Sequence, residues 1–122
     1  MNMHIKCVVG NYEGADLSSR IQEHYSPLRP PNSYGQSTNI REEMIFYTFR
    51  MRDAETHIII AKAIPDGRPD SRKIIVKAAG PIPEMVDWMI DDLVGALGID
   101  VSEASKEDSR RVGIEDTIVP MP

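Results

Sequence analysis

The chain has 122 residues, a formal net charge of −5, 41% hydrophobic and 27% charged residues, and a single cysteine. This is enough for one domain, residues 1–122, with its own core, and too little for a second; the apolar content argues against wholesale disorder. The acidic balance excludes an extended phosphate-tracking surface, Cys7 alone cannot close an intrachain disulfide, and no signal segment or long apolar span reads from the sequence, so a cytoplasmic protein without membrane association is expected.

Met3 to Val9 alternates Met3, Ile5, Cys7 and Val9 against His4, Lys6 and Val8, the pattern of a half-buried strand, and Gly10 to Gly14 carries the residues of a turn. Asp16 or Ser18 then stands where a helix cap belongs, with Leu17, Ile21 and Tyr25 recurring at helical spacing as far as Pro27. Arg29 to Asn39 holds turn formers and no apolar period, which predicts a long loop.

The middle of the chain organises the rest. Met44–Met51, His57–Ile64 and Lys73–Ala79 are rich in aromatic and β-branched residues and are separated by Asp53-Ala54-Glu55 and by Pro65 to Asp70, which predicts three consecutive antiparallel strands. Successive side chains on a strand alternate between faces. Ile59, Ala61 and Ala63 share one face, as do Ile74, Val76 and Ala78, and the small residues among them leave room for a helix. The opposite parity holds Ile58, Ile60, Ile64, Ile75 and Ala79, interrupted by Lys62 and Lys77. A sheet with one wet face would not be apolar on both, so something must cover the second.

Pro81 to Leu97 is the clearest helix. Pro81 and Pro83 suit its first turn, Glu84 the positive end of its dipole, and Gly98 the left-handed position beyond its end. Ile82, Met85, Val86, Met89, Ile90, Leu93, Ala96 and Leu97 form one broad apolar face, while Trp88 falls on the far side among Glu84, Asp91 and Gly95, with Asp92 alongside. Residues 99–122 read as an irregular tail in which Ser102 is the candidate cap of a short helix and Ile114, Ile118 and Val119 are candidates to dock it as a strand; Pro120 and Pro122 prevent a regular ending.

The expected fold is therefore α+β: a small antiparallel sheet in the order β-α-β-β-β-α plus tail, with one main C-terminal helix packed on it. Its second face is covered either by strong curvature into a barrel-like form or by another subunit. The α-β-β-β-α middle has the element order of double-stranded RNA-binding domains. Those domains present lysines at the start of the last helix, whereas Pro83, Glu84 and Asp87 stand here, so the resemblance carries no function.

No chemical constellation stands out. His4 and Cys7 have opposite strand parity, His24 and His57 are isolated, and no metal or cofactor motif is present. Arg41, Arg68, Arg72, Arg110 and Arg111 lie beside turns or in the tail. If these converge, they make an anion pocket, with Tyr34 placed to stack on a base. The expected function is a non-enzymatic binding or interaction protein acting as a homo-oligomer, in the manner of a small accessory or inhibitor protein, with Trp88, Ile58, Ile60 and Ile75 as its interface. The alternatives are a binder of a small anionic ligand such as a nucleotide, through the arginines, and, last, a small hydrolase.

Overall fold

The computed structural model describes residues 3–13, 17–25, 33–39, 42–50, 56–67 and 71–113. They form an α+β fold with the strands β1 His4–Glu13, β2 Ser33–Asn39, β3 Glu42–Arg50, β4 Thr56–Pro65, β5 Ser71–Gly80 and β6 Val101–Glu103. The helices are α1 Leu17–Tyr25, α2 Pro83–Leu97 and α3 Lys106–Arg110. The sheet is open and antiparallel, in the order β2-β3-β4-β5-β1-β6. It is not a barrel, because β2 and the three-residue β6 stand at separate edges.

The three central strands, β3, β4 and β5, pair as expected, with Phe46 opposite Ile60 and Ile60 opposite Lys77. Two departures from expectation are instructive. β1 runs through Gly10 to Glu13 rather than ending at Val9, and β6 pairs against Gly10. A Cβ at Gly10 would lie 2.5 Å from the Asp100 carbonyl oxygen, so this glycine serves a close backbone approach inside a strand and does not make a turn. β2 falls where a long loop was expected. Its Ser-Tyr-Gly-Gln-Ser-Thr-Asn sequence has no apolar alternation, yet its backbone pairs along β3 from Ser33 opposite Thr48 to Asn39 opposite Glu42. Ladder hydrogen bonds to a neighbouring strand demand no particular side chain, and polar composition suits an edge.

Both long helices lie on one face. Leu17, Ile21 and Tyr25 of α1 and Val86, Met89, Ile90 and Leu93 of α2 bury against Val8, Ile45, Ile59, Ile74 and Val76. Ala61, Ala63 and Ala78 are fully covered there, in keeping with the expectation that small residues admit a helix. α2 begins with Ile82 as its N-cap residue and a proline in its first turn, and ends on Gly98 at φ 65° and ψ 35°. Its first-turn proline lacks an N–H the helix could not have used, and its last turn closes on a residue without a Cβ penalty.

The second face is covered along β4 and β5 within the single chain, while Ile5 of β1, opposite Ala79 on the same face, is 43% exposed. Ile58, Ile60, Ile64, Ile75 and Ala79 bury together with Val112, with Met3, Cys7, Val9, Met44 and Phe46 packed around them. α3 lies on this side, next to β5. Its N-cap is Ser105, whose hydroxyl accepts the Asp108 N–H at 3.1 Å, and not Ser102, which is a β6 residue paired with Val9. The candidate docking strand at Ile114, Ile118 and Val119 lies outside the described residues.

Candidate functional site

The arginines do not form one pocket. Arg72 leaves β5 on the helix-bearing face, where its Nη1 donates to Glu43 Oε1 at 2.6 Å and its guanidinium lies over the Tyr12 ring, 5.9 Å from the centroid. Glu43 also accepts the Leu17 and Ser18 N–H groups, each at 3.3 Å, and the Ser18 hydroxyl at 3.2 Å. A strand carboxylate thus supplies from β3 acceptors for the free N–H groups of α1; of the two expected caps, Ser18 lies inside the helix and Asp16 outside the described residues. Burial alone would raise the Glu43 pKa; the Arg72 hydrogen bond and charge, with the Leu17 and Ser18 N–H groups, outweigh it and hold it below 4.5.

Arg110 and Arg111 belong to the opposite side of the sheet, exposed at the end of α3, with Arg111 Nη2 3.6 Å from Glu107 Oε1. The sheet separates them from Arg72, which corrects the expectation of convergence for these three. Tyr34 sits in β2 at the register position opposite Tyr47, and Arg41 and Arg68 lie outside the described residues.

Three lysines on the second face are anchors for α3. Lys73 Nζ donates to Asp108 Oδ1 at 2.7 Å, Lys77 Nζ to the Ser109 and Val112 carbonyls at 2.9 and 3.0 Å, and Lys62 Nζ to the Arg111 carbonyl at 3.4 Å. The Lys62 and Lys77 ammonium groups thus meet the carbonyl end of a helix, where the backbone dipole favours them. The Lys73 hydrogen bond holds the Asp108 carboxyl below its ordinary value of 3.8, with the Lys73 charge and the Ser105 hydroxyl acting in the same direction. Ile58, Ile60 and Ile75 are buried beneath this side of the chain, so these three present no free surface for an assembly.

His57 is fully buried and its Nε2 accepts the Ile82 N–H at 3.2 Å, at the start of α2. A Cβ at Gly80 would lie 2.0 Å from the His57 ring, so the ring takes the space that this glycine leaves. His24 Nε2 meets Asp92 Oδ2 at 2.7 Å and ties α1 to α2. No group of three or more His, Cys, Asp and Glu side chains that could hold a metal occurs among the described residues. An open groove of about 410 Å³ lies where β1 meets β6, between Asn11, Asp66, Lys73, Asp100 and Ser102.

The outer face of α2 carries the remaining candidate. Trp88 is 53% exposed, while Val86, Met89, Ile90, Leu93 and Leu97 of the same helix are buried. Its helical neighbours Glu84 and Asp91 are exposed as well. Asp87 reaches Lys6 Nζ at 3.3 Å. Trp88 was legible from the helical period. Glu43 lies one residue before Met44, where the run of aromatic and β-branched residues begins, and only its parity with Ile45 and Tyr47 marks it as a charge on a face that must be buried.

No protein-family model matches the chain, and no curated protein matches it.

Proposed function

We infer that this is a non-enzymatic interaction protein that binds a protein partner through the outer face of α2, with Trp88 at the centre of the contact. The observation that carries the reading is the half-exposed indole on a helix whose other large apolar side chains are nearly all inside. A tryptophan held on a rigid helix offers a large contact area at little conformational cost, and such residues dominate binding energy at protein interfaces. The helix is fixed from below by the core and from the side by the His24–Asp92 contact, so the surface is preformed.

Self-association through this face is the weaker form of the reading. An isologous contact sets the same patch against itself, and here that would oppose Glu84 and Asp91 of one copy to those of the other. The anionic-ligand alternative retains Arg110 and Arg111 as its exposed arginines among the described residues, with Arg72 already committed to Glu43.

The test is retention of a partner by wild-type protein and by W88A, purified from the native cell under identical conditions, with urea midpoints measured for both. Loss of the partner from W88A at unchanged folding stability supports the reading. A partner held equally by W88A sinks it. Sedimentation velocity across micromolar concentrations decides the homo-oligomer question separately.

A further inference from the structure

The outer face of α2 also indicates what kind of partner it fits. Between Pro83 and Leu97 the helix has Glu84, Asp87, Asp91 and Asp92 and no lysine or arginine. Two of these carboxylates are matched by neighbours, Asp87 by Lys6 at 3.3 Å and Asp92 by His24 at 2.7 Å. Glu84 and Asp91 stand one turn before and one turn after Trp88 on the same side of the helix, exposed, and make no ion pair with a described residue. The indole therefore lies between two solvated negative charges.

We propose that the segment bound here is basic and bears an arginine, whose guanidinium stacks on the Trp88 indole while its N–H groups reach Glu84 or Asp91. This rests on the reading of Trp88 as a contact centre. Tryptophan is the strongest aromatic acceptor of a cation, and arginine alone combines a planar face for stacking with a donor fork for a carboxylate. A purely apolar partner would have to strip water from the two carboxylates and offer nothing in return. A second copy docked face to face would bring like charges together, and a nucleic acid would be repelled.

The experiment uses the intact chain and an oligoarginine peptide, with the matching oligoglutamate as control. Trp88 is the protein's single tryptophan, so its emission reports this surface directly. Oligoarginine is expected to produce a saturable change that weakens at about 0.3 M salt, and oligoglutamate none. E84Q/D91N is expected to weaken binding by about tenfold. E13Q/E103Q removes the same charge from exposed strand positions and is expected to change it by less than about twofold. With a labelled peptide, W88A is expected to lose about three- to tenfold.

Equal losses in the two double variants, W88A binding like wild type, or no response from an indole that is open to acrylamide quenching would each overturn the basic-partner proposal alone. An indole shielded from acrylamide in the dilute free protein would instead defeat the reading of Trp88 as a contact centre. Shielding that disappears on dilution would assign the face to a second copy, which also overturns the proposal.

Discussion

Replacing Glu43 with alanine removes the acceptor that four donors share. The Arg72 and Glu43 side chains are only 16% and 13% exposed, so the deletion takes a counter-charge from a guanidinium that is largely desolvated. Breaking a buried pair from one side costs about 3–5 kcal/mol, and the residual exposure here puts the cost at the lower end. The N-terminus of α1 also loses its cap, typically worth about 1 kcal/mol. The expected destabilisation is therefore about 4 kcal/mol, a large part of a small domain's total. It should appear as a lower urea midpoint at unchanged slope. E43Q keeps an oxygen for the N–H groups and loses only the charge, so it should cost less, about 1–2 kcal/mol. The double replacement E43M/R72M removes both charges from the site and should recover much of the loss. The pH dependence has a definite sign. A carboxyl whose folded pKa is depressed contributes stability that is complete above its unfolded value, here 4.5, and is lost as pH falls through the folded value. The stability difference between wild type and E43Q should therefore shrink on acidification below about pH 4.5. Asp108 acts in the same direction in both proteins and cancels from that difference. An E43A cost under about 1 kcal/mol, or a wild-type to E43Q difference that does not change with pH, would refute the assignment of Glu43 as the joint between β3, β5 and α1.

Two further outcomes follow from the packing. G80A places a methyl group where the His57 ring lies, 2.0 Å from its nearest atom; it should cost about 1–3 kcal/mol or more in urea unfolding, and less in an H57A background, where the ring is gone. K77M removes the donor to the Ser109 and Val112 carbonyls while keeping most of the stem. The Arg111 and Val112 amides, which bond back to the Asp108 and Ser109 carbonyls, should then exchange with deuterium at least about tenfold faster, while the β4 and β5 amides hold their protection. Equal acceleration in both regions would show that Lys77 supports the whole core rather than the docking of α3.

The local rules in the sequence determined much of this molecule. Runs of aromatic and β-branched residues between turn formers marked β3, β4 and β5, and the 3.6-residue period with its proline start and glycine stop marked α2. The same patterns showed a sheet apolar on both faces and a tryptophan turned away from the helix's buried side, because each depends only on side-chain direction along one element. What covered the second face was not decided there. Lys62 and Lys77 looked like interruptions of an apolar surface, and only the approach of α3 makes them donors to its carbonyls. The polar β2 became a strand because β3 offered an open edge, and Gly10 stayed in a strand because Asp100, far along the chain, passes close to it. Arg72 and Arg110–Arg111 were equivalent candidates by composition. One residue of strand parity and the docking side of α3 put them on opposite faces of the sheet, because pairing energy between distant groups depends on where the backbone brings them and not on their separation in sequence.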